Sequence, residues 1–307
     1  MKILYIGTNV ATPQYPLVDY QNDCLLIGLK ELFGDDVVDV QRRDHLYADF
    51  SPELAAQQYG RGFTVTRVID QDNADRTDIE EKIKNKYFDL VVYGSIWRNH
   101  DYMDLVTKHY PKNKIALVDG DDHTKFNYHV KKGALYFKRE LQYEANMEHE
   151  QYFDRVLPIG FAFPTKKLSF NNKKSSFMAH SNPKDRRTYI FNDEASYYGD
   201  YQKAQYAITM KKAGWDALRH YEIMGNGCIP LFDQLEASPR FIMTKFPKAL
   251  LSKISFFHKN DFKYLEKNYD YFLNEVTEHF MRYNTTHAMV KYLLKDLSRY
   301  RVYKGQQ

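Results

Sequence analysis

Short apolar segments alternate with helical patterns along the first half of the chain, and no other feature restricts the fold as much. The apolar segments lie at residues 2–7, 37–40, 88–93 and 114–118. Between them, apolar residues recur with helical spacing at 19–33, 79–86 and 104–110. Buried strands that alternate with helices predict a parallel sheet whose strands are joined by crossover helices. We therefore expect an α/β fold.

Polar residues follow three of these predicted strands at their carboxyl ends. They are Thr8 and Asn9, the loop 94–98, and the acidic run 119–123. Ligands of open parallel sheets bind outside the carboxyl ends of the strands. The sequence thus predicts that a site lies along this edge of the sheet.

The same pattern begins again after a connector at residues 158–174, which is rich in proline, asparagine and lysine. Further strands are predicted at 176–180, 206–210 and 228–232, with a helix that opens near Lys184 and another at 217–225. Asp216 is expected to cap the second of these helices. We predict an N-terminal domain over 1–164, a C-terminal domain over 165–280, and a bracing helical segment over 281–307.

Charge divides unequally between the two halves of this 307-residue chain. Residues 1–164 contain 20 Lys and Arg against 26 Asp and Glu, whereas residues 165–307 contain 24 against 14. The formal net charge of only +4 argues against a nucleic-acid partner, which usually requires a basic block. A basic second half fits a domain that binds an anion, although uneven solvation charge would look the same.

The sequence also bears on the compartment. No apolar run reaches the roughly 18–20 residues that a membrane span needs. The N-terminus is typical of a first strand and not of a signal peptide, and Cys24 and Cys228 have no metal-ligand spacing. We expect a cytoplasmic protein.

The segment 211–232 carries the most chemistry. Arg219 and Glu222 are three residues apart, so both project from one face of the predicted helix. Lys211 and Lys212 precede the helix, whose free N–H groups suit a phosphate or diphosphate. Glu222 is able to accept hydrogen bonds from vicinal hydroxyls such as those of a ribose. A surface ion pair worth about 0.2–0.5 kcal/mol explains the same spacing.

This segment resembles the second domain of GT-B glycosyltransferases, especially the exostosin-like and spore-coat-type groups. In that domain a helix with an arginine and an aromatic–glutamate pair precedes a small-residue turn and a Cys-Ile-Pro strand. Here the corresponding runs are RHYE at 219–222 and GNGCIP at 225–230. The strong part of the resemblance covers roughly residues 176–235. It implies two Rossmann-like domains that face each other across a cleft.

The resemblance also implies roles for individual residues. Glu222 would bind the ribose of a nucleotide-sugar, and Arg219 with Lys211 or Lys212 would bind its diphosphate. The remaining donor-site residues implied are Arg186 or Arg187, Gly214 and Asp216. The family generally needs no metal, because protein cations and a helix end stabilise the leaving nucleoside diphosphate. No cofactor beyond the nucleotide-sugar co-substrate is therefore expected.

One position departs from the family pattern. Many retaining members have two glutamates eight positions apart, and the position of the first is Gly214 here. The sequence thus leaves open whether the transfer inverts or retains the anomeric configuration.

The acidic run 119–123 (DGDDH) supports three interpretations. It resembles the metal-binding Asp-x-Asp of GT-A glycosyltransferases, or the start of a haloacid-dehalogenase-type phosphatase in which His123 replaces the expected threonine. In the third interpretation, Asp119, Asp122 or His123 lies at the acceptor site and supplies a general base. A strand-end turn with solvated carboxylates has the same sequence pattern. We favour the acceptor site, because the downstream segment already accounts for phosphate binding.

Together these features predict a metal-independent glycosyltransferase that moves a sugar from a nucleotide-diphosphate donor to a hydroxyl of a glycan or another acceptor. Two alternatives remain at this point. One is a metal-dependent transferase or phosphoryl-transfer enzyme centred on Asp119 and Asp121. The other is a non-catalytic nucleotide- or glycan-binding protein on the same fold.

Overall fold

The computed structural model describes residues 1–8, 18–133, 135–170 and 173–304, with side chains described to residue 299. The predicted loop residue Asn9, connector residues 171–172 and the end of the predicted C-terminal segment at 305–307 lie outside these ranges. Within them the protein contains two parallel sheets flanked by helices, which confirms the predicted α/β class.

The first sheet has six strands in the order β2-β1-β3-β4-β5-β6, all parallel. Their bounds are β1 Ile3–Ile6, β2 Val37–Asp39, β3 Leu90–Tyr93, β4 Ile115–Asp119, β5 Leu135–Lys138 and β6 Val156–Pro158. The helices of this half are α1 Tyr20–Phe33, α2 Pro52–Ala56, α3 Ile79–Lys84 and α4 Met103–His109. The four strands predicted from the sequence are present, each within two residues of its expected bounds.

Strands β5 and β6 were not predicted, for a physical reason that the structure shows. Strand β5 ends in Lys138, a residue type that argues against a buried strand, yet the side chain is fully buried. Its ammonium lies 2.7 Å from Asp119 Oδ1 and is thereby neutralised. Strand β6 has only three residues and ends in Pro158, which in the sequence looked like the start of the connector.

The second sheet has three parallel strands, β7 Ser176–Met178, β8 Ala204–Thr209 and β9 Ile229–Phe232. The prediction of a helix that begins near Lys184 is wrong, because the structure has a short 3-10 turn at Arg186–Thr188 there. The helix of this connection is α5, Glu194–Lys203, whose N-cap Asp193 accepts a hydrogen bond from the Ser196 N–H. Helix α6, Leu218–Gly225, lies between β8 and β9.

The remaining helices are α7 Lys248–Asn260, α8 Phe262–Lys267, α9 Tyr269–Tyr283 and α10 Thr286–Lys304. Helices α7 to α9 pack on the second sheet, whereas α10 returns to the first half and packs along α1. Gly28 of α1 permits this approach, since a Cβ there would lie 2.6 Å from the Thr286 carbonyl oxygen. None of the helices described here is long and apolar enough to cross a membrane.

The chain passes between the two halves at two adjacent points. The Phe163 N–H donates to the Asn284 carbonyl at 3.0 Å, and the Thr286 N–H donates to the Phe163 carbonyl at 3.0 Å. The domain boundaries at 164/165 and 280/281 stay predictions. A cleft lies between the loops that follow β4 and β8.

Candidate functional site

A cavity of about 760 Å³ lies between the two halves of the protein. The first half contributes Tyr20 at the start of α1, the loop 59–63 and Asp122 after β4. The second half contributes residues of the loops after β7 and β8 and of α6, among them Arg186, Tyr189, Lys212, Gly214, Asp216, Arg219 and Glu222. Cavities at such interfaces are the usual location of small-molecule sites.

Most of the predicted donor residues line this cavity, and two do not. Arg187 pairs with Asp185 at 2.7 Å, and its side chain is 90% exposed. Lys211 lies over the ring of Trp215, 5.1 Å from its centroid. The sequence left open whether Arg186 or Arg187, and whether Lys211 or Lys212, contributes to the site. In the structure Arg186 and Lys212 are the ones that line the cavity.

Two cations converge on a single oxygen at the cavity wall. Arg219 Nη1 donates to the Tyr189 hydroxyl oxygen at 2.6 Å, and Lys212 Nζ donates to the same oxygen at 3.2 Å. Burial alone would raise the pKa of the Tyr189 hydroxyl, but these two cations lower it below its ordinary value. Arg219 Nε is buried and has no partner among the described residues. The position favours an oxygen that carries negative charge.

His220 holds in place the loop between β8 and α6, which contains Lys212. Its Nδ1 lies 2.7 Å from Thr209 Oγ1 at the end of β8, and its Nε2 lies 3.0 Å from the Trp215 carbonyl oxygen. Burial lowers the pKa of His220 to about 3, so the imidazole is neutral at physiological pH. The ring therefore joins strand, loop and helix α6 by neutral hydrogen bonds and places Arg219 at the cavity.

Glu222 lies one turn further along α6 and is buried, with 7% of its surface exposed. One carboxylate oxygen accepts a hydrogen bond from Thr64 Oγ1, and the other accepts one from the Tyr197 hydroxyl at 2.8 Å. Burial raises the pKa of Glu222. Both oxygens already receive hydroxyl donors, which is the kind of partner that a ribose would offer.

The loop 59–64 is part of this site, and the sequence prediction of the site did not include it. Phe63 stacks on Tyr197 with ring centroids 5.5 Å apart, and the Tyr20 hydroxyl donates to the Tyr59 carbonyl at 3.1 Å. Thr64 has a φ of 78°, in the left-handed region that a β-branched residue rarely adopts. The available signal was the glycine pair that flanks Arg61 at 60 and 62, both of which also have positive φ.

Asp119 is held inside the first half and does not line the cavity. Its oxygens accept hydrogen bonds from Lys138 Nζ at 2.7 Å, from Trp97 Nε1 at 2.7 Å and from the Tyr136 hydroxyl. The side chain is fully buried. Asp119 therefore ties the ends of β4 and β5 together with each of its oxygens occupied.

The side chains of Asp122 and His123, neighbours in sequence, have different surroundings. Asp122 lines the cavity, is about half exposed, and accepts a hydrogen bond from Arg139. His123 packs edge-on against Trp97 with ring centroids 4.5 Å apart and is not among the cavity residues. Only Asp122 of the predicted acceptor residues thus faces the space where substrates would meet.

The acidic run also brings together a set of possible metal ligands. One ligand atom from each of Asp119, Asp121 and His123 lies within 4.8 Å of the others. The donor types would suit a divalent cation, but the Lys138 ammonium already neutralises Asp119, and Arg98 Nη2 lies 2.9 Å from Asp121 Oδ1. A cation would therefore have to compete with two positive charges of the protein.

The predicted capping role of Asp216 is wrong. The N-cap of α6 is Ala217, and the helix has no side-chain cap. The Asp216 carboxylate instead accepts a hydrogen bond at 2.9 Å from the Phe161 N–H of the segment between β6 and the second half. A partner from another part of the chain thus holds this carboxylate, and sequence spacing does not reveal such a partner.

Gly214 lies against a carboxylate of the first half. A Cβ at this position would be 2.5 Å from Glu140 Oε1 and 3.1 Å from Asp122 Oδ1. A side chain at this position would therefore have to displace the end of the Glu140 side chain. Glu140 Oε1 also accepts a hydrogen bond from the Asp216 N–H at 2.9 Å, which fixes the loop before α6.

No protein-family model matches the chain, and no curated protein matches it in sequence. Its structure is similar to solved glycosyltransferases. An α-glucosyltransferase in complex with UDP-glucose and DNA containing an abasic site aligns over 96% of this chain and 98% of that chain, with 8% identity and a TM-score of 0.47. Spinosyn rhamnosyltransferase SpnG complexed with thymidine diphosphate aligns over 95% and 100%, with 9% identity and a TM-score of 0.34.

A third structure, the GtfA/B complex, aligns over 73% of this chain at 9% identity with a TM-score of 0.42. The present chain spans 60% of the length of that neighbour. These similarities concern the general arrangement of the fold. The roles proposed below are argued from the geometry of the site.

Proposed function

We propose that this protein is a glycosyltransferase that moves a sugar from a nucleoside diphosphate donor to a hydroxyl of an acceptor. The observation that carries the proposal is the convergence of Arg219 and Lys212 on one oxygen, beside a buried Glu222, in a cavity between two α/β halves. Cations and, one helical turn further along α6, a carboxylate match a molecule in which a diphosphate is joined to a hydroxylated ring.

The second half would bind the donor. Diphosphate oxygens would take the position of the Tyr189 hydroxyl, where Arg219 and Lys212 already donate and Arg186 lies on the same wall. The unpartnered Nε of Arg219 supplies one further donor. Glu222 would accept hydrogen bonds from two ribose hydroxyls in place of those it now receives from Thr64 and Tyr197.

The cations would also assist the chemistry. Negative charge develops on the diphosphate as its bond to the anomeric carbon breaks, and fixed cations at that point stabilise the transition state. Because Arg219 is partly buried, its interaction with a phosphate is less screened than that of a surface arginine. This arrangement is the basis for proposing a metal-independent reaction.

The first half would present the acceptor. Asp122 and the aromatic residues Tyr20, Tyr59 and Phe63 belong to the part of the cavity wall that the first half contributes. Aromatic rings combined with a carboxylate are suited to a sugar, since the rings pack on its C–H face and the carboxylate accepts from its hydroxyls. A glycan is thus the acceptor class that this wall fits best.

The proposal is tested by incubating the protein with a panel of radiolabelled nucleotide-sugars and simple glycan acceptors. The expected result is transfer, or slow hydrolysis in the absence of an acceptor, from one class of nucleotide-sugar. The non-catalytic alternative predicts binding of the nucleotide-sugar without turnover of the label. Failure of all donors to bind or react would refute the proposed function.

A further inference from the structure

The third carboxylate of the cavity, Asp216, lies where the two halves of the protein meet. Asp216 lines the cavity, yet only 2% of its surface is exposed. The Asp216 loop leads into α6 with its donor-site residues, while Arg139 of the first half donates to the Asp216 carbonyl oxygen at 2.6 Å. This residue therefore joins the two halves at the cavity in which donor and acceptor would meet.

The two oxygens of the Asp216 carboxylate differ in their hydrogen bonding. Oδ2 accepts from the Phe161 N–H at 2.9 Å, and the Tyr221 hydroxyl is also hydrogen-bonded to the carboxyl group. Oδ1 is buried and has no partner among the described residues. Buried polar atoms are nearly always paired, and the exceptions commonly mark positions that a ligand or water completes.

The other carboxylates of the cavity are already engaged. Asp122 is half exposed and receives a hydrogen bond from Arg139. Glu222 receives a hydroxyl donor on each oxygen and lies on the donor side. Of the carboxylates that line the described cavity, Asp216 alone combines burial with an unpartnered oxygen.

We propose that Asp216 is the general base of the transfer and takes the proton of the acceptor hydroxyl. This inference deepens the proposed function and rests on it. The acceptor hydroxyl would complete the hydrogen bonding of Oδ1, which positions its oxygen for attack on the anomeric carbon. Deprotonation by a carboxylate during a single displacement also commits the reaction to inversion at that carbon.

The step balances as follows. The acceptor oxygen forms a bond to the anomeric carbon while its proton moves to the Asp216 carboxylate. The bond between the anomeric carbon and the donor phosphate oxygen breaks, and its electron pair leaves on the nucleoside diphosphate, beside Arg219 and Lys212. Asp216 later releases the proton to water.

Charged and titratable groups surround Asp216 on several sides. They are Arg139, Glu140, Tyr221 and Lys248. Burial, and to a lesser extent the Glu140 carboxylate, raise the pKa of Asp216 to about 6, while Arg139 and the hydrogen bonds from Phe161 and Tyr221 act in the opposite direction. Such a group is mostly ionised at neutral pH and is still basic enough to accept a proton.

The test measures initial rates of transfer from about pH 5 to about pH 9 for the wild type, Asp216→Asn, Asp216→Glu and Tyr221→Phe. Asp104→Asn is the control, because Asp104 is an exposed carboxylate outside the cavity that pairs with Lys132. Calorimetry with the nucleoside diphosphate product and thermal melting are measured on the same variants. The anomeric configuration of the product is determined by NMR.

We expect Asp216→Asn to lower kcat by about 10²–10⁴-fold, the usual contribution of a general base, while the Kd for nucleoside diphosphate changes by less than about twofold. Asp216→Glu should recover part of the rate, and Asp104→Asn should behave as wild type. Tyr221→Phe should shift the acid limb of the rate profile to higher pH, because it removes a hydrogen bond that lowers the pKa of Asp216. The product should have inverted configuration.

An active wild type with undiminished turnover in Asp216→Asn would overturn the role of Asp216 and leave the proposed function standing. Retention of configuration would do the same. If Asp216→Asn does not fold, Tyr221→Phe decides, and an acid limb at the wild-type position would overturn the proposal. A wild type that transfers no sugar from any donor would instead refute the proposed function itself.

Discussion

The Thr64 hydroxyl donates a hydrogen bond to the buried carboxylate of Glu222, although the two residues belong to opposite halves of the chain. Because that hydroxyl has a single proton, it accepts from the Tyr198 hydroxyl at 2.6 Å, and the Thr64 N–H donates to Glu194. The loop of the first half is thus fastened to the residue that we propose as the ribose ligand. A donor must displace Thr64 before its own hydroxyl groups reach Glu222.

Removal of this hydroxyl should therefore strengthen nucleotide binding. In Thr64→Ala, the donor no longer competes with a hydrogen bond worth about 1 kcal/mol, so the Kd for a nucleoside diphosphate should fall roughly fivefold. Thr66→Ala is the control, because Thr66 directly follows this loop region and its hydroxyl donates to the Gly62 carbonyl and not to Glu222. Calorimetric titration checks the change, and equal affinities in both variants would show that Thr64 does not compete with the ligand.

Glu222→Ala should weaken donor binding by at least about tenfold, since a buried carboxylate that accepts two hydrogen bonds is lost. A more selective consequence concerns the sugar of the nucleotide. The wild type should prefer a ribonucleoside diphosphate over its 2′-deoxy analogue, and Glu222→Ala should bind the two about equally. Competition calorimetry measures both affinities. If Glu222→Ala weakens the binding of the two ligands equally, Glu222 does not contact the ribose 2′-hydroxyl and only supports the structure of the site.

Lys212 and Lys211 are adjacent in sequence, but only Lys212 reaches the cavity and the Tyr189 oxygen. Lys212→Ala should weaken nucleoside diphosphate binding several-fold, and the difference from wild type should shrink as salt is added, because exposed charges are screened. Lys211→Ala should bind as wild type does. Identical affinities for the two variants at low salt would contradict the position assigned to the diphosphate.

Chelation of divalent cations should leave activity unchanged. Arg219 and Lys212 supply the positive charge at the proposed diphosphate position, and Lys138 neutralises Asp119. We expect equal transfer rates with EDTA and with added magnesium or manganese, and no loss in Asp121→Asn beyond a small effect of its pairing with Arg98. A strong requirement for metal would favour the alternative centred on Asp119 and Asp121.

Stability should depend on pH through Asp216. Its pKa is raised to about 6 from the ordinary value of 3.8, so the folded state holds a proton that the unfolded state has released in this interval. Stability thus decreases as pH rises from about 4 to about 6. The free energy of unfolding, measured with urea, should change less with pH in Asp216→Asn than in the wild type over this range. The two changes should differ by up to about 3 kcal/mol. The variant is compared with the wild type because His220 has the opposite effect on stability. Between these pH values His220 is protonated in the unfolded state but neutral in the folded state, so its contribution makes stability increase with pH.

Local patterns were sufficient to predict much of this architecture. The apolar strands β1 to β4 and the helix with Arg219 and Glu222 are defined by the spacing of nearby residues. The same spacing placed both side chains on the cavity wall. Contacts between distant residues could not be predicted in this way. Thr64 meets Glu222 across 158 positions, and Asp216 meets Phe161 across 55.

Buried charge accounts for a further difference between expectation and structure. Asp119 looked like a candidate base because it follows a strand in an acidic run. Its carboxylate is instead neutralised by the buried Lys138. Because lysine is unusual in a buried strand, the sequence pattern did not predict β5. The sequence pattern locates such charged residues near a strand end, but only the fold shows whether they face substrate or one another.

The central claim is that the Arg219 guanidinium binds the diphosphate of a nucleotide. The most direct test is calorimetric titration of uridine and guanosine diphosphate into the wild type, Arg219→Ala and Arg187→Ala. Arg187 is a matched control, since it is a nearby arginine paired with Asp185 and directed to solvent. The account predicts binding by the wild type and Arg187→Ala, with at least about tenfold weaker binding by Arg219→Ala. Equal affinities in all three proteins would contradict it.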